Sequence, residues 1–225
     1  MIVITGASSG IGKYLAENLY DKWGGVVGIS SSDYTPPFVE VENYRCDVSK
    51  ETNVREFFRS VKGEDIHAVI NCAGRASMNS FLTTPVSVLD RLYKVNTRGT
   101  FLMSQYGAKH MIEHGGNIIN FSTCAVPMAI EGELAYVSSK GAVEAMSRVM
   151  ARELSPYHIS VNVISPQPIM TPMLKNLPKE KIDKVIGLTA GKAGGSKFAI
   201  LNLVTYILRS DNRQVTGMNF NLGGV

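Results

Sequence analysis

Tyr136-Val137-Ser138-Ser139-Lys140 sets a phenol and an ammonium four residues apart. On a helix that spacing puts both groups on one face, one turn apart. An ammonium beside a phenol favours the phenolate and draws a pKa that is ordinarily about 10 toward the working range of an acid-base catalyst. The same pair occurs by chance on many surface helices, so it needs company to count. A second chemistry-bearing segment opens the chain, Thr5-Gly6-Ala7-Ser8-Ser9-Gly10-Ile11-Gly12. Between a strand and a helix, glycines allow a tight turn, a close approach of a diphosphate and close packing of helix on strand, while the helix N-terminus attracts the anion. The spacing is G-x-x-x-G-x-G, not the commoner G-x-G-x-x-G.

A rival reading exists for the same turn. Ala7 to Tyr14 nearly matches the phosphate loop G-x-x-x-x-G-K-[ST] of nucleotide triphosphatases. Ala7 replaces its first glycine, and Tyr14 stands where a hydroxyl should hold magnesium, which sets that chemistry aside. His67, His110, His114 and His158 show no paired ligand spacing, and no metal is expected. Cys46, Cys72 and Cys124 are odd in number and lack a C-x-x-C pair, so neither a disulfide framework nor a thiolate zinc site is expected.

The elements that must position these groups follow from periodicity. Short β-branched runs at 1–5, 26–30, 44–47, 66–71, 117–121, 159–165 and 218–222 read as strands. Helices are expected at 11–22, 51–61, 87–113, 133–154 and 197–209. Strands alternating with helices need crossover connections, which predicts an α/β fold, a single-domain doubly wound parallel sheet over residues 1–225. The exception is 166–194, with Pro166, Pro168, Pro172 and Pro178 between apolar side chains such as Met170, Met173 and Ile182. A break of that length reads as a small substrate lid.

Composition narrows the class. In 225 residues, 44% are hydrophobic and 19% charged, enough for a sizeable core and too apolar for disorder. A net charge of +4 is too weak and scattered for nucleic-acid binding. No apolar run approaches the roughly 20 residues of a membrane span, and the apolar start is too short for a signal peptide, so a cytoplasmic protein is expected.

From Met1 to Val225 the chain resembles the short-chain dehydrogenase/reductase family, with the family's motifs in order. Thr5 to Gly12 is similar to its T-G-x-x-x-G-x-G turn, Asp47-Val48 to its adenine-contacting dipeptide, and Asn71-Cys72-Ala73-Gly74 to N-N-A-G with Cys72 for the second Asn. Lys94-Val95-Asn96 carries the helix asparagine, Tyr136 and Lys140 match Y-x-x-x-K, and Asn221-Leu222-Gly223-Gly224 is similar to the closing turn. The resemblance implies a Rossmann fold and hydride transfer between a nicotinamide dinucleotide and a carbonyl or alcohol. Tyr136 would be general acid or base, Lys140 would hold the ribose, and Asn96 would bind a water relaying protons to Lys140. Gly6, Ser8, Ser9, Gly10, Ile11 and Gly12 would bind the cofactor, together with Ser30, Ser31, Asp47, Val48, Asn71, Ala73 and Gly74.

Two departures are visible. Pro166-Gln167 replaces the usual Pro-Gly after the sixth strand, so the backbone there is expected to approach nicotinamide less closely, although Ile169 and Thr171 still suit carboxamide and phosphate contacts. The catalytic serine is the other departure: counting back as the family does lands on Thr123, while Ser122 is the adjacent serine, and one of the two should steady the alkoxide. Ser30, Ser31 and Ser32 stand where an NAD enzyme presents an acid, which favours NADP, whereas Asp33 taking that role would favour NAD. A non-catalytic, dinucleotide-sensing relative is the alternative from another class. Residues near 75–85 and 124–133 and the lid should line a partly apolar pocket. They show no basic cluster for docking a carrier protein, and they leave sugar, steroid, acyl thioester and small ketone open. Surplus apolar residues on 133–154, among them Ala142, Val143, Ala145, Met146, Val149 and Met150, point to a homodimer or homotetramer.

Overall fold

The computed structural model describes residues 1–20, 23, 25–32, 41–174, 179–209 and 214–224. Seven strands form one sheet: β1 (Ile2–Thr5), β2 (Val26–Ser30), β3 (Val41–Arg45), β4 (Ala68–Asn71), β5 (Gly116–Phe121), β6 (Ile159–Ser165) and β7 (Asn219–Asn221). Their order is β3-β2-β1-β4-β5-β6-β7, every pairing is parallel, and the order reverses at β1. At such a reversal the loops leaving β1 and β4 part, and a crevice opens beyond the carboxyl ends of the strands.

The inner strands are mostly apolar because both faces are covered, and the polar residues they bury, such as Asn120 of β5 and Asn162 of β6, are hydrogen-bonded. Ile2, Ile4, Ile70, Ile119 and Ile164 face α1 (Gly10–Leu19) and, near the end of the chain, the helix Lys197–Leu208. Val3, Val27, Val69, Ile118 and Val161 face the other way, against Val54, Phe57 and Phe58 of α2 (Glu51–Ser60). Next along the chain come α3 (Val86–Leu92), α4 (Thr100–Met111), the short α5 (Ala125–Met128), α6 (Leu134–Leu154), α7 (Lys179–Leu188) and α8 (Lys197–Leu208). Leu102 and Met103 of α4 and Ala151 of α6 complete the second layer.

Two expectations are corrected. The third strand occupies 41–45, not 44–47. Its register with β2 begins at Val26 opposite Val41, and by Asp47 the chain has curled into a turn in which the Asp47 carboxylate accepts from the Ser49 N–H at 3.0 Å and its hydroxyl at 2.7 Å. The helix expected over 87–113 is interrupted: Tyr93–Gly99 is a wide π turn between α3 and α4. Such bulges are found mostly at functional sites, and Asn96 lies in this one. The expected lid contains α7, whose Ile182 is buried, while Met170 is exposed. Its Leu177 and Pro178 lie outside the described residues.

Candidate active site

The glycine turn does its work through backbone. Gly10 has φ +61°, a region that favours glycine, and a Cβ there would still lie 3.7 Å from Thr171 across the crevice. At Gly12 the constraint is contact: a Cβ would come within 2.6 Å of the Gly6 carbonyl oxygen, so only glycine lets α1 sit this close to β1. Ser9 precedes α1 without a side-chain capping bond, and the first turn holds no acid, which leaves its N–H groups for an anion. Thr5 Oγ1 accepts from the Ala73 N–H at 2.9 Å and ties the two diverging loops together.

The crevice has a volume of about 700 Å³. Of the residues expected to bind cofactor, Gly6, Ser8, Ser9, Gly10, Ile11, Gly12, Ser30, Ser31, Asp47, Val48, Ala73, Gly74 and Thr171 line it. Asn71 does not: its amide donates to Asn120 Oδ1 at 2.8 Å and Ser104 Oγ at 3.0 Å inside the core, because β4 alternates and this residue turns inward. The Ser30 hydroxyl is committed to the Ser32 carbonyl at 2.5 Å, whereas Ser31 is exposed. Asp33 lies outside the described residues. Arg75, Arg91 and Lys94 also line the crevice, a basic contribution that motif spacing misses because α3, the π turn and the β4 loop bring it from elsewhere in the chain. A nicotinamide dinucleotide fits this crevice, with its glycine floor, open helix terminus and basic margin.

A second, smaller cavity of about 150 Å³ opens beside it, and Ile11, Cys72, Gly74, Thr171 and Met173 belong to both. Tyr136, Lys140, Thr123, Pro166 and Ile169 line this second cavity. Thr123 stands beside the Tyr136 hydroxyl and acts to lower its pKa, and its own Oγ1 accepts from the Ala125 N–H at 3.2 Å. Ser122 also reaches the wall, but its hydroxyl donates to the buried Glu144 carboxylate at 2.6 Å. These two neighbours at the exit of β5 thus have different partners.

Lys140 is buried and its Nζ donates to the Phe121 carbonyl at 2.7 Å. Burial lowers its pKa to about 8. The expectation that it draws the Tyr136 phenol down is not met. Burial first, and the Glu133 carboxyl next, hold that phenol above its ordinary value, the Thr123 side chain opposing them. The phenol therefore holds its proton. Asn96 clamps the loop after β4, accepting from the Arg75 N–H at 2.8 Å and donating to the Arg75 carbonyl at 2.9 Å and to Ser139 Oγ at 2.9 Å. Its Oδ1 and Lys140 Nζ meet over Gly74, where a Cβ would lie 3.4 and 3.5 Å from them.

Gln167, where the motif has glycine, turns away into the following segment: Nε2 donates to the Ala193 carbonyl at 2.8 Å, and Oε1 lies under Gly223, where a Cβ would strike it. The substitution thus takes up space under Gly223. Among the described residues no cluster of His, Cys, Asp and Glu could hold a metal. None of the described helices is long and apolar enough to cross a membrane.

A family model described as enoyl-(acyl carrier protein) reductase matches residues 6–224. An NAD-dependent glycerol dehydrogenase of Listeria innocua is 34% identical over 77% of this chain and 72% of its own length. A Serratia marcescens short-chain dehydrogenase/reductase has the same fold, with TM-score 0.89 at 25% identity, over 99% of this chain and 96% of its own. The chain belongs to the short-chain dehydrogenase/reductase family. As a member it is an NAD(P)-dependent oxidoreductase that exchanges hydride between nicotinamide and a carbonyl or alcohol. Relatives in this family divide on the cofactor, since an Arabidopsis thaliana protein named NADPH-dependent aldehyde reductase 2 is 30% identical over 81% of this chain and 77% of its own.

Proposed function

We propose that this oxidoreductase uses Tyr136 as general acid toward the carbonyl oxygen and Thr123, not Ser122, as the second donor to that oxygen. What carries this reading is the division of labour between the hydroxyls: Thr123 lines the cavity beside Tyr136, its Oγ1 fixed by the Ala125 N–H, and Ser122 is committed to Glu144. A donor aimed at the developing alkoxide stabilises it most when held in place beforehand, as Thr123 is. A bound nicotinamide dinucleotide supplies the hydride. Gly6 to Gly12, Asp47, Val48, Ala73 and Gly74 would hold it, with Lys140 at the ribose and Asn96 keeping the loop above Lys140 in place. A protonated phenol in the resting protein suits carbonyl reduction. That the proton donor is present argues against a sensor, which has no chemical need of one.

For the cofactor we favour NADP over NAD. Ser31 is exposed at the crevice margin, and Arg75, Arg91 and Lys94 line the same crevice. Both features suit an added phosphate. Separate titrations with NADPH and NADH should give tighter NADPH binding, and tighter NADH binding would assign the choice to Asp33. The 150 Å³ cavity suits a substrate core of roughly six to ten heavy atoms, since a cavity of that size takes a benzene ring. Of the expected lid, the described parts 166–174 and 179–194 would cover it. Self-association is also part of this reading, since Val149 on α6 and Phe101 on α4 are about half exposed.

A further inference from the structure

Among the described residues lining the smaller cavity, Glu133 is the one acid and Lys140 the one cation, and the Lys140 ammonium is already bonded to a carbonyl. The rest of the lining is largely apolar, with Met78, Met173, Leu174, Ile182 and Val185 prominent. The Glu133 carboxylate has no hydrogen bond or ion pair among the described residues and does not cap the helix it precedes, although its position would allow it. It stands three residues before Tyr136, on the same side of the helix start, and its backbone is engaged: its N–H donates to Ile130, and its carbonyl accepts from Val137 at 2.7 Å. Gly132 beside it, at φ +82°, accepts from the Asn79 N–H at 2.7 Å, which fixes the loop that presents the carboxylate. An acid left without a partner in an apolar cavity costs stability unless something that enters the cavity bonds to it.

We infer that Glu133 is a specificity-determining residue, whose carboxylate accepts a hydrogen bond from a hydroxyl on the carbon next to the reacting carbon, so that the substrates are α-hydroxy carbonyl compounds and the corresponding vicinal diols. The inference rests on Tyr136 as the proton donor. Two oxygens on adjacent carbons lie close enough for one to face the phenol and the other the neighbouring carboxylate. A carboxylate in place of that carbon would instead meet Glu133 as a like charge, so 2-keto acids are excluded. Burial raises the pKa of the Glu133 carboxyl.

The test uses three substrates with the same ketone and the same chain: 1-hydroxy-2-butanone, 2-butanone and 2-oxobutanoate, each reduced by the full-length protein with NADPH and with NADH. Wild type should favour the hydroxyketone over the plain ketone in kcat/KM by about ten- to hundredfold, the size of one hydrogen bond to a charged group, and should reject the keto acid. In Glu133→Ala that ratio should collapse toward one, with the change mainly in KM for the hydroxyketone, and Glu133→Gln should restore part of it. Any effect of Glu133 on the Tyr136 proton acts on both ketones alike and leaves the ratio where it was. Turnover with the wild-type ratio intact in Glu133→Ala, or a preference for 2-oxobutanoate, overturns the inference while leaving Tyr136 in its role. No turnover of any ketone by a protein that binds NADPH would overturn both.

Discussion

The crevice and the smaller cavity beside it are built by opposite means. The dinucleotide crevice is shaped by backbone: glycines where a Cβ would collide, an uncapped helix terminus, and two loops parting at the reversal of strand order. The substrate cavity is shaped by side chains from four separate stretches, around Met78, Thr123 to Tyr136, Pro166 to Leu174 and α7. Backbone constraints admit few residues, so the crevice is written in short motifs and tolerates little change. Side-chain walls admit many residues, so the cavity is free to change its substrate while the crevice stays as it is.

The comparison breaks hardest at Tyr136, which lines the substrate cavity and not the crevice. Tyr136→Phe keeps the ring and its packing and removes the proton, so turnover should fall by at least about a hundredfold. NADPH binding, followed by fluorescence, should stay near that of wild type. Near wild-type turnover in this variant would take Tyr136 out of the mechanism.

This contrast also explains what could be read from the sequence. The sheet, its seven strands and the glycine turn were legible because burial on both faces forces mostly apolar, β-branched runs and because a close approach forces glycine. Tyr136 and Lys140 were legible by spacing, since both groups ride one helix. Which of the Ser122 and Thr123 hydroxyls is left for substrate was not, because both reach the cavity and only the partner of Ser122, Glu144, separates them. The π turn at Asn96 escaped for a different reason: it leaves the apolar periodicity of a long helix nearly unchanged. Asn71 reads as a cofactor residue in its motif, yet its amide belongs to the core, where Asn120 and Ser104 take it. Glu133 carries no motif at all, and its meaning comes only from what surrounds it. The shift of the phenol was misread because spacing puts Lys140 near Tyr136 but does not show that its ammonium points to Phe121.

Next in size is the separation of the adjacent hydroxyls. Thr123→Ala should lower kcat by about ten- to hundredfold with little change in melting temperature, as loss of a donor to the alkoxide does. Ser122→Ala should do the reverse, destabilising the fold by about 1–3 kcal/mol because the buried Glu144 carboxylate loses its 2.6 Å donor. If only Ser122→Ala is kinetically impaired, the assignment belongs to Ser122.

A milder pair sharpens the contrast between backbone and side-chain construction. Gly12→Ala pushes a methyl group against the Gly6 carbonyl, so it should weaken NADPH and NADH alike, by about tenfold, at the 1–3 kcal/mol cost of overpacking. Met78→Ala removes a wall of the substrate cavity and should raise KM a few-fold, leaving both cofactor affinities within about twofold. Equal effects of the two changes on cofactor binding would dissolve the distinction.

The smallest effect is on pH dependence, and here activity and stability should move in opposite directions. Lys140 has a folded pKa of about 8 against an unfolded value near 10.4. Below pH 8 the ammonium is charged in both states and the folded protein bears the full cost of burying it. As pH rises from 8 toward 10.4 the folded state gives up that proton first, so the unfolded state binds more protons and stability rises. The gain is about 1 kcal/mol per pH unit in that window. Activity runs the other way, because the ammonium is the form that would hold the ribose, so kcat/KM should fall above pH 8. The buried thiols of Cys46, Cys72 and Cys124 have pKa values raised by burial, and they lower stability as pH climbs through their ordinary range. The wild-type curve alone therefore cannot isolate Lys140, and the measurement is the difference between wild type and Lys140→Met in urea unfolding at pH 7, 8 and 9. Wild type should gain on the variant between pH 8 and 9. In parallel, Lys140→Arg, which stays protonated, should move the falling limb of kcat/KM to higher pH. A difference that stays flat with pH would mean that Lys140 stays protonated through this range despite its burial, and that the loss of activity above pH 8 begins at some other group.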